Sequence, residues 1–307
     1  METRSRKHDL STLNRYYKTS KSLINDLIRF SRENEAVFRG ISSTEQLKPV
    51  INRVRSHSNK WRSTNLKKYE FELLNDFKRN ASSMLNGYLD TLDIVAYAQH
   101  FGLATRLIDW TRDPLAALYF AICRTKPEDG NYRIYYTHLD YHTLISKSYS
   151  GQTHYDLANG YDFIVDYIGF INSIENANNN SGSNRSLKDA INDRIMIFGD
   201  KVTTTDIYRD NSLVFFESNA SNPRLIAQKG LFSIPVSIEG NRAKEEIERN
   251  CNYVSLDFTE DERIQTLEFL ENMNYSALRL FPDIQNIAVS ITDKHVINHD
   301  RNSKSIK

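Results

Sequence analysis

Residues 98–115 concentrate side chains able to do chemistry. Gln99, His100, Thr105, Arg106, Asp109, Arg112 and Asp113 fall around one tight turn. A guanidinium donates two parallel hydrogen bonds to a phosphate or carboxylate, and an imidazole exchanges its proton near neutral pH. Two shorter segments repeat the pairing of arginine with glycine: Phe38-Arg39-Gly40, and the run Arg224-Leu225-Ile226-Ala227-Gln228-Lys229-Gly230. An arginine at a strand end beside a glycine lets guanidinium and backbone approach a phosphate together, since glycine offers no side-chain obstruction. This pattern points to a nucleotide or another phosphate-containing ligand. The candidate binding residues are Arg39, Gly40, Gln99, Thr105, Arg106, Asp109, Arg224 and Gln228. Arg106 and Arg224 meeting in one pocket would require an anion or paired carboxylates to offset their charge.

Each of these residues also has a purely structural reading. Arg39 serves a phosphate or a buried ion pair, and His100 serves a ligand or caps helix carbonyls. Asp109 serves a ligand, clamps Arg106 or caps the following helix, while Gln228-Lys229-Gly230 is a binding element or a turn.

The elements that must hold these groups follow from periodicity. Leu23, Ile24, Leu27 and Ile28 repeat at helical spacing and lead into an apolar strand at Val37-Phe38. Phe71, Leu74, Phe77, Ala81 and Leu85 mark one face of a helix over residues 70–85. A further helix is predicted over 92–100 and closes at Gly102; Asp113-Pro114 then starts one over 115–124. Its continuous apolar run, including Tyr119 and Phe120, reads as core. After a turn at 127–130, strands are predicted at 132–137, 201–208, 213–216, 231–238 and 253–258, and a helix at 260–272. Residues 172–186, rich in Asn and Ser, read as a flexible insertion. The predicted class is α+β, a helical N-terminal half packed on a mainly antiparallel sheet. The expected organisation is a helical extension over 1–30, a domain over 31–290 and a polar tail over 291–307.

Composition narrows the function classes. The 307 residues are 39% hydrophobic with 17 Tyr and 15 Phe, enough apolar surface to bury a core. Lys and Arg number 40 against 39 Asp and Glu, so no overall field draws nucleic acid or an acidic membrane, and any anion site is local. The basic start, with Arg4, Arg6 and Lys7, reads as a solvated face. No apolar run approaches the length of a membrane span and no secretory stretch follows Met1, so a cytoplasmic protein without membrane association is expected. Cys123 and Cys251 stand far apart and form no disulfide framework. Histidines occur singly with no metal-ligand spacing, so no metal is predicted; a serine-hydrolase elbow and a glycine-rich phosphate loop are also absent from the sequence.

The motifs carry a resemblance. Phe38-Arg39-Gly40, the segment from Ala98-Gln99-His100 through Thr105-Arg106-Leu107, Asp109-Trp110-Thr111 and Pro114-Leu115 to Ala121, the segment Arg224 to Phe232, and Leu280-Phe281-Pro282-Asp283 resemble, in order, the FRG-domain family of soluble bacterial and phage proteins. The tripeptide is also similar to the first motif of ADP-ribosyltransferases. That likeness implies an ADP-ribosyltransferase-like fold and an enzyme using NAD as co-substrate, acting on a protein or nucleic-acid target as an effector in phage defence or as a toxin. On this reading Arg39 binds the diphosphate, His100 and Thr105 orient the nicotinamide or ribose, and Arg106 and Arg224 complete the anion pocket. A late acid assists attack at the ribose: Glu217 after the strand at 213–216, or Glu239. His100 and Glu217 are thus the candidate catalytic pair. The alternative is a non-catalytic module that recognises a nucleotide, a nucleic acid or a phage protein through the same pocket.

Overall fold

The computed structural model describes residues 13–56, 66–84, 91–123, 132–139, 143–145, 213–217, 223–235, 241–284, 286–288 and 291–292. The expected turn at 127–130, insertion at 172–186, strand at 201–208, residue Glu239, basic start and polar tail beyond 292 lie outside the described residues. Eight strands form one sheet: β1 (Tyr16–Tyr17), β2 (Ala36–Ile41), β3 (Ile108–Thr111), β4 (Tyr132–His138), β5 (Thr143–Ile145), β6 (Val214–Phe216), β7 (Gly230–Ile234) and β8 (Asn252–Leu256). Their spatial order is β1-β8-β4-β2-β3-β7-β6-β5. The β1–β8 and β5–β6 pairs are parallel and the others antiparallel, so the molecule is α+β on a mainly antiparallel sheet. The helical first half nevertheless supplies the two middle strands, β2 and β3. Residues 108–111, read from sequence as part of a tight turn, are a strand because both edges find antiparallel partners, β2 and β7.

Side chains alternate across a strand, so β2 sorts its residues onto two faces. Phe38 joins helix α1 (Ser20–Glu33) and helix α5 (Pro114–Ile122) in a core that includes Leu23, Leu27, Phe30, Leu118 and Ile134. Each fully buried leucine or phenylalanine there is worth about 1.5–3 kcal/mol. Val37 and Ile41 face the other way, against Trp110, Tyr135, Leu47 of a 3-10 turn (Thr44–Leu47), and Ala243 and Ile247 of α7 (Arg242–Asn250). A third cluster joins Leu74 of α3 (Leu66–Ala81) and Val95, Ala96 and Ala98 of α4 (Thr91–His100) to Leu107, Phe216 and Phe232. Among the described residues no helix is long and apolar enough to cross a membrane.

Helix α5 fixes the centre. The Asp113 carboxylate accepts from the Leu115 and Ala116 amides, and Pro114 occupies a first-turn position where its missing N–H costs nothing. The helix presents alanines to β2, and Gly40 lies so close that an added Cβ would sit 1.8 Å from the Ala117 carbonyl oxygen and 2.7 Å from the Ala121 nitrogen. The remaining helices are α2 (Val50–Ser56), α6 (Pro223–Gln228), α8 (Glu260–Asn272) and α9 (Ala277–Leu280).

Candidate functional site

The tripeptide at 38–40 divides its work three ways. Phe38 enters the core and Gly40 admits α5, so the space beside the glycine is filled by protein. Arg39 points to the opposite face, where β2 and β3 meet at only one residue pair, Phe38 with Thr111, before diverging. The guanidinium enters that gap. Its Nη1 donates to the Asp109 carbonyl and its Nη2 to the Gln46 carbonyl at 2.6 Å. These bonds tie β2 to β3 and to the 3-10 turn, while Nε is sealed from solvent without a hydrogen-bond partner. Burial, opposed by Asp109 and reinforced by Arg53, pulls the Arg39 pKa down to about 10, so the side chain stays charged at neutral pH.

Asp109 carries this brace to the other face of the sheet. Its Oδ1 accepts from Gln99 Nε2 at 2.8 Å, and Gln99 Oε1 in turn accepts from the buried Thr105 hydroxyl. Thr105 Oγ1 also accepts from the Leu107 amide at 3.2 Å. The loop after α4 and the start of β3 are thereby tied to one another, leaving Asp109 exposed at the surface.

Arg224, in the first turn of α6, reaches the same place. Its guanidinium lies 4.5 Å from the Phe281 ring centroid, in a cation–π contact. Burial lowers its pKa, and the charges of Asp109 and Asp283 oppose that shift. His100, the last residue of α4, is half-buried. Burial first, and then Arg224, hold its pKa below the ordinary imidazole value, with Asp283 offsetting part of the effect. Burial pushes the Asp283 carboxyl upward, but two hydrogen bonds from Asn286, at 2.9 and 2.7 Å, and the charges of His100 and Arg224 leave it below the usual carboxylate range. The fold therefore brings Gln99, His100, Asp109, Arg224, Phe281 and Asp283 near one another as a polar cluster at the end of α4 and the start of α6. Residues 34–130 match the family model of the FRG domain. The chain contains an FRG domain. No curated protein and no solved structure matches the chain significantly.

The FRG match supplies Arg39, Gly40, Gln99, His100, Thr105 and Asp109, whereas Arg224, Phe281 and Asp283 come from the chain beyond it. Three candidates stand elsewhere. Arg106 is buried against Glu70: its Nε and Nη2 lie 2.6 and 2.5 Å from Glu70 Oε2, and its amide donates to Oε1 at 3.0 Å. The pair neutralises itself without Arg224. Gln228 is also buried; its Nε2 donates to the Leu280 carbonyl at 2.7 Å, tying α6 to α9 at a point where Lys229 turns into the left-handed conformation. Glu217 accepts from Arg112 at 3.0 and 2.5 Å, and Arg112 also donates to Glu35 at 3.0 Å. This ion-pair chain joins the ends of β3 and β6 to the start of β2, and Glu217 is not among the groups that shift the ionisation of His100, Arg224 or Asp283.

Sequence reasoning assigned no role to Asp283 or Phe281, although both sit in the last of the four motif segments, so a signal was present. Gln46 and Arg53 carried none, because a backbone carbonyl acceptor and a through-space charge leave no residue pattern. Among the described residues no group of three or more His, Cys, Asp or Glu could hold a metal ion.

Proposed function

We propose that the FRG domain, completed by α6 and the segment around Asp283, binds a phosphate-bearing nucleotide, with NAD as the ligand to test first. The observation that carries this reading is the mixed character of the polar cluster: the partly desolvated Arg224 guanidinium stands with two carboxylates, an amide and an imidazole. A simple anion is best served by cations alone. A nucleotide needs more, because its phosphate accepts hydrogen bonds while its ribose hydroxyls donate them. Arg224 takes the phosphate, Asp109 and Asp283 accept from the hydroxyls, and Gln99 serves a polar edge of the ligand. Arg39 and Thr105 act as braces that hold Asp109 and Gln99.

A second reading, ADP-ribosyl transfer, is favoured by His100. An imidazole held below its ordinary pKa is neutral at physiological pH, and beside Asp283 it is suited to accept a proton. In that reaction the bond from ribose to nicotinamide breaks, a nucleophile of a protein or nucleic-acid target bonds to the ribose carbon, and His100 takes the nucleophile's proton. Nicotinamide leaves with the bonding electron pair. Glu217, the acid expected from sequence, is engaged by Arg112, so His100 is the better candidate base. NAD consumption of this kind would suit an effector in phage defence or a toxin.

Calorimetric titration of the full chain and its Arg224→Ala variant with NAD tests the reading, with nicotinamide release followed in the same mixtures. Binding that is lost in a folded variant supports the site, and release that His100→Ala abolishes without abolishing binding supports the enzyme. Absence of heat with the wild-type chain overturns the nucleotide reading.

A further inference from the structure

At the β1 edge of the sheet two guanidiniums share one tyrosine ring. Arg15, just before β1, lies 5.7 Å from the Tyr253 ring centroid and donates from Nη2 to the Tyr253 hydroxyl at 3.3 Å; Arg133 on β4 lies 5.3 Å from the same centroid. The Tyr135 ring completes the group, its centroid 5.2 Å from that of Tyr253. Register places the strand residues on one face: Arg133 and Tyr16 are both level with Ser255, on the two strands that flank β8, and Tyr135 is level with Tyr253. Towards the middle of the sheet α7 and the 3-10 turn cover this face over Val37, Ile41 and Tyr135. At the edge the cover ends: Arg15 is exposed, Arg133 and Tyr253 are half-buried, and Tyr16 is 63% exposed.

Among the described residues neither arginine has a carboxylate within ion-pairing distance, and Arg133 Nε is sealed from solvent without a hydrogen-bond partner. Glu248 of α7 is engaged by Lys244 at 3.9 Å, and Asp257, just past β8, bounds the patch at that end. Two cations held beside one ring call for an anion, and the open tyrosine next to them calls for a flat apolar group. We infer that this edge binds single-stranded nucleic acid, with Arg15 and Arg133 taking backbone phosphates and the Tyr16 ring stacking a base. Tyr253 and Tyr135 hold the guanidiniums in place. Tyr16 stands one strand over and two residues along from Tyr253, about 8 Å, so cation and platform serve neighbouring groups of one strand. An acidic peptide would use the arginines and leave the ring idle, and a duplex keeps its base faces stacked out of reach. The surface is separate from the Arg224 cluster: β3, which carries Asp109, lies four strand positions from β1, about 19 Å.

Fluorescence anisotropy of the full chain with labelled oligothymidylate, with a duplex of the same length and with polyglutamate and NAD as competitors, tests the surface. The wild-type chain should bind the single strand more tightly than the duplex. Tyr16→Ala should weaken that binding about 5- to 150-fold, the loss of one base stack, while Tyr16→Trp retains it. Arg15→Gln should reduce the slope of log affinity against log salt by about 0.7, the share of one phosphate contact. Both side chains are exposed, so the variants should keep the fold, checked by circular dichroism. No binding of the single strand by the wild-type chain at low salt overturns the inference, as does a salt slope unmoved by Arg15→Gln. Affinity in Tyr16→Ala within about twofold of wild type overturns the stacking role. Displacement by polyglutamate as readily as by unlabelled oligothymidylate assigns the patch to an acidic protein instead. Displacement by NAD places the strand at the Arg224 cluster and overturns the separate surface.

Discussion

The buried pair between Glu70 and Arg106 offers the sharpest test of how the FRG signature is divided between fold and ligand. Both side chains are almost inaccessible, at 2% and 3%, and three contacts of 2.5–3.0 Å join them. Glu70→Ala removes the counter-charge from a dry guanidinium and takes the acceptor from the Arg106 amide. Breaking one side of such a pair costs about 3–5 kcal/mol. With a urea dependence of roughly 3 kcal/mol per molar, the unfolding midpoint should fall by roughly 1 to 1.7 M, measured by tryptophan fluorescence and circular dichroism. Replacing both partners with apolar residues, Glu70→Leu with Arg106→Met, should recover much of the loss, since the pair's own desolvation cost disappears with it. A loss below about 1 kcal/mol in Glu70→Ala would refute the structural assignment. So would an Arg106→Met, Glu70→Leu chain that folds with wild-type stability but no longer binds a nucleotide the wild type binds.

Three further outcomes are expected. Gly40→Ala forces a Cβ against the α5 backbone and should lower stability by at least the roughly 1–3 kcal/mol of an overpacked core, in the same urea titration. Protonation of His100 is disfavoured in the folded chain, so its contribution to stability is complete above the ordinary value near 6.5 and is lost as the pH falls through the lower folded value. In an NMR titration of the imidazole, Arg224→Ala should raise the midpoint and Asp283→Asn should lower it further; a midpoint unmoved by either change refutes the cluster. Glu217→Gln breaks only a partly exposed ion pair and should cost less than about 1 kcal/mol while leaving NAD binding and any turnover unchanged.

Periodic segments were the legible part of this sequence. The helix read over 260–272 is α8 with the same limits, and those read over 92–100 and 115–124 differ from α4 and α5 by one or two residues at an end. The helix read over 70–85 runs instead from Leu66 to Ala81. Elements too short to show a period were missed: β1 has two residues, and β3 has four packed between polar signature positions. Helix α7 went unread because only Ala243 and Ile247 are buried in an otherwise charged segment. For the candidate site, residue type pointed to Gln99, His100, Asp109 and Arg224, which fall in one polar cluster. Type did not separate these from Arg106 and Gln228, because a guanidinium or amide looks the same in sequence whether it joins a polar cluster, a buried glutamate or a backbone carbonyl.

The order of the sheet has a consequence for how this protein comes into being. Strand β3 carries Asp109 and is completed on one side by β2, close before it in the chain, but on the other by β7, which is synthesised only after the long stretch that separates them. Until residues 230–234 emerge, β3 presents an open edge, and Arg224 and Asp283 do not yet exist to meet His100. The cluster of His100, Arg224 and Asp283 forms only after residue 283 has been made, so a chain truncated before α6 would carry the signature without the cluster.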